Sequence, residues 1–198
     1  MTDEMTDTVR ALLAAPQIAD AKVTVASDWM AGCAGCHMSL LDIDERIVAL
    51  LGLVTLTSTP ITDLKHPSKD GVTVGILEGG VNNSTSEEVA KTMRERAKIL
   101  IALGDCAVFG GIPTMRNAVG IDAALQRAYV ETESTVDGQI PHHEDLAVMQ
   151  PCRALDQVVP VDVYVPGCPP SADTIFFALT ELLAGRKPDL KGGHLDWH

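Results

Sequence analysis

Short apolar runs that alternate with amphipathic segments predict an α/β domain of three layers, a parallel sheet between helices. Five such runs read as buried strands: Lys22–Ala26, Leu53–Thr57, Val72–Leu77, Ile99–Leu103 and Val161–Val165. Cysteine-bearing loops follow three of them, with Cys33 and Cys36 after the first, Cys106 after the fourth and Cys168 after the fifth. In an open parallel sheet the loops leaving the carboxyl ends of strands share one edge, where ligands bind.

The elements follow in order. Residues 1–20 form an N-terminal extension, expected to be helical or to contact a partner, and residues 21–185 form one domain. After the first strand, Ser39 to Leu51 reads as one helix, with Leu40, Ile43, Ile47 and Leu51 on one face. Ser39 and Asp42 resemble a capping signal at its start, as Ser84 and Glu87 do for a helix running to about Lys98. Ala118–Tyr129 is a further helix, and Glu131 to Asp145 is a polar loop with Gly138 and Pro141. Ser171–Ala184 is the last helix, stopped by Gly185 and Pro188, and residues 186–198 are a tail. The expected whole is a flavodoxin-like, doubly wound parallel sheet with helices on both faces. Its 198 residues suffice for a single sizeable core.

Acidic residues number 27 against 15 basic ones, a formal net charge of −12. That balance argues against nucleic acid and anionic lipid as partners, since both need clustered positive charge. No stretch has the apolar length of a membrane span, and the acidic start offers only the short apolar run Ala11–Ala15. A cytoplasmic location is therefore expected. In a reducing compartment, grouped cysteines bind metal more often than they form disulfides.

Four of the five cysteines fall into motifs: Cys33-Ala34-Gly35-Cys36, Gly104-Asp105-Cys106-Ala107 and Pro166-Gly167-Cys168-Pro169-Pro170. A Cys-x-x-Cys pair alone suits zinc, a redox dithiol or an iron–sulfur centre. Structural zinc commonly uses two compact pairs, whereas the third and fourth cysteines here are single and distant. The pattern favours a cluster assembled by a finished fold, with a zinc-stabilised binding module and a redox dithiol as alternatives. Cys152 lies outside the motifs and reads as a buried, inert thiol.

Together with Glu78-Gly79 and Gly110-Gly111-Ile112-Pro113, these motifs resemble the small subunit of [NiFe] hydrogenases, a superfamily that includes the cluster-bearing complex I subunit beside the quinone site. The resemblance runs from about Lys22 to Leu183. Complex I relatives usually carry two adjacent cysteines, whereas Cys33 and Cys36 are separated, so the sequence looks like a hydrogenase subunit; a short, leaderless, single-cluster form is expected of the cytoplasmic NAD-reducing kind. That implies one [4Fe–4S] cluster held by Cys33, Cys36, Cys106 and Cys168. It also implies a Ni–Fe centre in a partner large subunit, and FMN and NAD in partner diaphorase subunits. Soluble hydrogenases serving NADP, F420 or sulfur, and a quinone-site subunit, are the alternatives within the superfamily. A flavin in this chain would suit the fold class, but its first loop lacks a phosphate-cradling Ser/Thr/Gly run.

Many hydrogenases place a Glu two residues after the second cysteine, in a proton path; Met38 stands there in this chain. Either protons leave through the large subunit, or His37 or Asp42 contributes; the favoured readings are Met38 packing at the subunit interface and His37 as a hydrogen-bonded helix-entry residue. Glu78 ends a strand on the cluster edge, where it would tune the cluster, contact a partner or cap a loop. Asp105 is either a turn residue or an electrostatic tuner, and Gly167 lets backbone approach a bulky ligand.

Overall fold

The apolar runs pair as strands of one parallel sheet. A computed structural model describes residues 23–64 and 67–195; Lys22 and the extension over residues 1–20 lie outside the described residues. The sheet strands are β1 (Val23–Trp29), β2 (Val54–Ser58), β3 (Val72–Glu78), β5 (Ala97–Leu103) and β7 (Val163–Val165), in the order β2-β1-β3-β5-β7. Taken in sequence order, that is the 2-1-3-4-5 order of the flavodoxin-like fold. Every pairing in this sheet is parallel.

Buried side chains alternate along the strands. Leu100 and Ala102 join the apolar layer under α3 (Ser84–Arg96) and α4 (Asp105–Phe109), beside Ala90, Met93 and Ala107. Ile101 and Leu103 face the opposite layer, formed with Ile43, Leu50 of α2 (Arg46–Leu53) and Ile175, Phe176 of α6 (Ala172–Leu183). The expected helices on both faces are present. No helix among the described residues is long and apolar enough to cross a membrane.

The structure corrects the sequence reading at four places. The single helix expected over Ser39–Leu51 is two, α1 (Gly35–Leu41) and α2, separated by a turn in which Asp44 adopts φ 60°. Ile43 is fully buried in that turn, so its burial outweighs continuation of the helical stripe. Ser39 is no cap; its hydroxyl donates to the Pro170 carbonyl at 2.6 Å. The cap of α3 is Asn83 rather than Ser84, with Asn83 Oδ1 accepting from the Ser86 amide at 2.8 Å and Ser86 Oγ accepting from the Asn83 amide at 3.1 Å. The helix expected over Ala118–Tyr129 is α5 (Ile121–Tyr129), preceded by a 3₁₀ segment over Ile112–Ala118.

A two-stranded antiparallel ribbon of β4 (Val81–Asn83) and β6 (Met149–Arg153) adds to the expected elements. Cys152 lies on β6 and is buried, as expected of an inert thiol. The described part of the tail returns against α6, where His194 stacks on Phe177 with ring centroids 4.2 Å apart.

Asp162 ties three elements at the entry to β7. Its Oδ2 accepts from the Leu100 amide at 2.7 Å and from Arg94 Nη1 at 2.6 Å. Burial alone would raise this carboxyl, but the Arg94 and Leu100 bonds outweigh it and hold the pKa below the usual carboxylate value. Asp162→Ala is expected to lower unfolding free energy by roughly 1 kcal/mol in urea titrations, since the carboxylate is partly solvent-screened. Because the folded-state pKa is the lower one, this contribution is present above about pH 3.9 and disappears as pH falls through the folded value. Asp162→Asn is expected to remove that part of the acid dependence.

Candidate metal centre

Strand register sets the site. Trp29 pairs with Glu78, Glu78 with Leu103, and Leu103 with Val165, so four strand ends form one transverse row. Cys106 and Cys168 each lie three residues beyond that row, and Cys33 lies four beyond it. Cys33 and Cys168 are exposed, Cys106 is intermediate and Cys36 is buried in the apolar layer.

The thiols sense one another. Burial raises the pKa of Cys36, and charges on Glu78, Cys106, Cys33 and Cys168 raise it further. Burial also raises Cys106, followed by the charge of Cys168. Burial and neighbouring charge oppose ionisation of Cys36 and Cys106, and a bound cationic metal would offset both. Amides already face two of the four thiols: the Gly35 N–H donates to Cys33 Sγ at 3.4 Å, and the Ile112 N–H bonds Cys106. Gly104 adopts φ +81°, and a Cβ there would collide with Cys36 Sγ. The edge is thus shaped around the sulfur positions, and the donor set fits an iron–sulfur cluster. The four cysteines predicted as ligands share this edge, whereas Cys152 lies on the ribbon behind it.

Glu78 closes the site from beneath. It is 2% exposed, and its carboxylate caps the start of α1. Its Oε1 accepts from the Cys36 amide at 3.3 Å, and its Oε2 accepts from the His37 amide at 2.9 Å and meets His37 Nδ1 at 2.5 Å. His37 is fully buried, its Nε2 lies 3.0 Å from Ser27 Oγ, and Ser27 donates to Thr59 Oγ1 at 3.0 Å. Burial alone would raise the Glu78 carboxyl, but the hydrogen bonds and charge of His37 outweigh it and keep the pKa below the usual range. Among the other candidates, Met38 is exposed, while Asp105 at the start of α4 and Gly167 of the proline loop bind each other. The residues leave Glu78 as a tuner, a partner contact or a cap of a neighbouring loop; what it caps is the start of a helix, through the Cys36 and His37 amides.

Residues 33–182 match the family described as NADH ubiquinone oxidoreductase, 20 Kd subunit, and the chain belongs to that family. Among curated proteins it is 39% identical over 178 residues to the NAD-reducing hydrogenase HoxS subunit delta of Cupriavidus necator, covering 86% of this chain and 83% of that one. It is 35% identical to a subunit of the F420-non-reducing hydrogenase of Methanothermobacter thermautotrophicus, where 85% of this chain spans 56% of the relative. Among solved structures, a NAD+-reducing [NiFe]-hydrogenase in the H2-reduced state aligns with TM-score 0.85 at 35% identity, over 90% of this chain and all of that one. The [NiFeSe] hydrogenase of Desulfovibrio vulgaris Hildenborough, at 17% identity and TM-score 0.55 over 84% of this chain and 61% of that one, shares the fold.

Glu78→Ala would strip the Cys36 and His37 amides and the His37 ring of their shared acceptor. A loss on the order of 3–5 kcal/mol is expected, measured by urea unfolding of the metal-free chain. A change below about 1 kcal/mol would contradict the capping role.

Proposed function

We propose that Cys33, Cys36, Cys106 and Cys168 hold one [4Fe–4S] cluster, and that the chain is the electron-transfer small subunit of a NAD-reducing [NiFe] hydrogenase. The observation carrying this reading is the convergence of the four cysteines beyond one row of strand ends, with their thiols electrostatically coupled. When bound, the cluster supplies one-electron transfer. The chain's part is to fix the thiolates, direct amides at the sulfurs and exclude water on the Cys36 side.

The placement of the cysteines in the chain supports a cluster over a structural zinc ion, which commonly uses two compact pairs, whereas Cys106 and Cys168 are single and distant from Cys33 and Cys36.

The Ni–Fe centre belongs, in this proposal, to a large subunit docked on the cysteine edge. Met38, Phe109, Ile112 and Met115 are exposed close in sequence to the ligands, the apolar surface such a contact needs. FMN and NAD belong to diaphorase subunits that receive the electrons, and the assembly works in the cytoplasm, where NAD is a soluble acceptor. NAD is preferred over F420 or sulfur as acceptor because the NAD-reducing relative matches over 83% of its own length. His37, enclosed by Glu78, Ser27 and Trp29, serves as a structural residue, and protons leave through the large subunit.

Serine at any of the four ligand positions is expected to lower iron and sulfide content, whereas Cys152→Ser retains both. Iron loss in Cys152→Ser, with the four others unaffected, would contradict the assignment. Hydrogen-dependent reduction of NAD is expected from the chain purified with its large and diaphorase subunits and absent from the chain alone. His37→Gln, if folded and cluster-loaded, is expected to keep hydrogen–deuterium exchange within a few-fold of wild type. A loss of roughly 10²–10⁴-fold would assign it an acid–base role.

A further inference from the structure

The loop carrying Cys168 is held by two bonds from a single residue, the first of the short helix α4 that carries Cys106. The Asp105 amide donates to the Gly167 carbonyl at 2.8 Å, and Asp105 Oδ1 accepts from the Gly167 amide at 2.7 Å. One residue therefore satisfies both peptide groups of Gly167. Asp105 immediately precedes Cys106, and Gly167 immediately precedes Cys168.

We infer that Asp105 is a positioning residue that sets the separation of Cys106 and Cys168 by clasping Gly167. The inference rests on the cluster reading above. Strand pairing alone fixes Leu103 opposite Val165, and the Gly104 amide continues it to the Val165 carbonyl at 2.8 Å. Beyond that point the two chains turn away into α4 and into the proline loop, so backbone pairing no longer determines where the sulfurs fall. The clasp carries the register one residue further, to the positions adjoining both ligands.

Gly167 is bent to meet it. Its φ is +137°, and a Cβ would come within 2.5 Å of Pro170 Cα, so the loop doubles back on itself. Ser39, on the helix bearing Cys36, grips the far side of the same loop through the Pro170 carbonyl. The Cys168 loop is thereby held between the elements that carry the other buried and half-buried ligands. Asp105 does this through an acceptor oxygen, which asparagine retains and alanine lacks. A residue acting through its charge on the cluster would instead be disabled equally by both substitutions.

The test compares full-length wild type, Asp105→Ala and Asp105→Asn. Amide exchange is followed at Gly167 and Cys168, the residues of this proline loop that carry an N–H, in the metal-free chain, and iron, sulfide and reduction potential are measured after anaerobic reconstitution. Asp105→Ala is expected to speed exchange at Gly167 by roughly tenfold or more and to lose iron several-fold, with exchange elsewhere in the sheet unchanged. Asp105→Asn is expected to stay within about twofold of wild type in exchange and to keep its iron and potential. Unchanged exchange in Asp105→Ala overturns the clasp. So does an Asp105→Asn that exchanges as fast as Asp105→Ala, or that keeps iron but shifts its potential. A wild-type chain that takes up no sulfide-bound iron defeats the cluster reading itself, while exchange at Gly167 still decides whether the clasp exists.

Discussion

The parallel register of β1, β3, β5 and β7 is the constraint on which everything else depends. Trp29, Glu78, Leu103 and Val165 lie in one row because neighbouring strands share direction and alignment. Parallel pairs need long crossovers, so residues brought together this way are necessarily far apart in sequence. A slip of one residue in any pairing would move a whole strand's apolar set to the wrong layer. Leu100 and Ala102 against one layer, and Ile101 and Leu103 against the other, make such a slip costly. The core thus guards the site's geometry, and touches it through Cys36, which is buried in the second of these layers.

Acidic residues near four thiols look unfavourable on electrostatic grounds, since both Glu78 and the other thiols raise the pKa of Cys36. The arrangement becomes reasonable once each carboxylate is assigned its bonds. Glu78 is occupied by the amides that open α1 and by His37, and Asp105 by Gly167. Buried polar groups are tolerated when fully bonded, and such groups fix one geometry among many that apolar packing would allow. Here that geometry is the placement of the ligand-bearing loops. The accumulated negative charge that opposes ionisation of a bare thiol is the same charge that favours a cationic metal among the four.

Much of this was legible in the residues. The strands announced themselves because strands buried on both faces are apolar without strict alternation, and the cysteine motifs lay where those runs ended. The helix break at Asp44 was not legible, since the apolar stripe continues through it and only the burial of Ile43 in the folded chain decides against one helix. Nor was the ribbon: Val81–Asn83 is short, Met149–Arg153 contains Pro151, and their pairing joins segments with no shared local signal. The capping role of Glu78 depended on α1 arriving above it, a tertiary event. The cap at Asn83 was within reach of the sequence, since asparagine is as strong an N-cap as the neighbouring serine and stands one residue earlier.

The central claim is that one edge of this sheet holds a cubane cluster. Mössbauer spectroscopy of the ⁵⁷Fe-labelled chain, isolated anaerobically with its partners separated, tests it directly when combined with iron and acid-labile sulfide analysis. The account predicts four irons and four sulfides per chain, in the quadrupole doublets of a cysteine-ligated [4Fe–4S] centre. A single tightly bound zinc with no sulfide, or iron without the cluster signature, would contradict it.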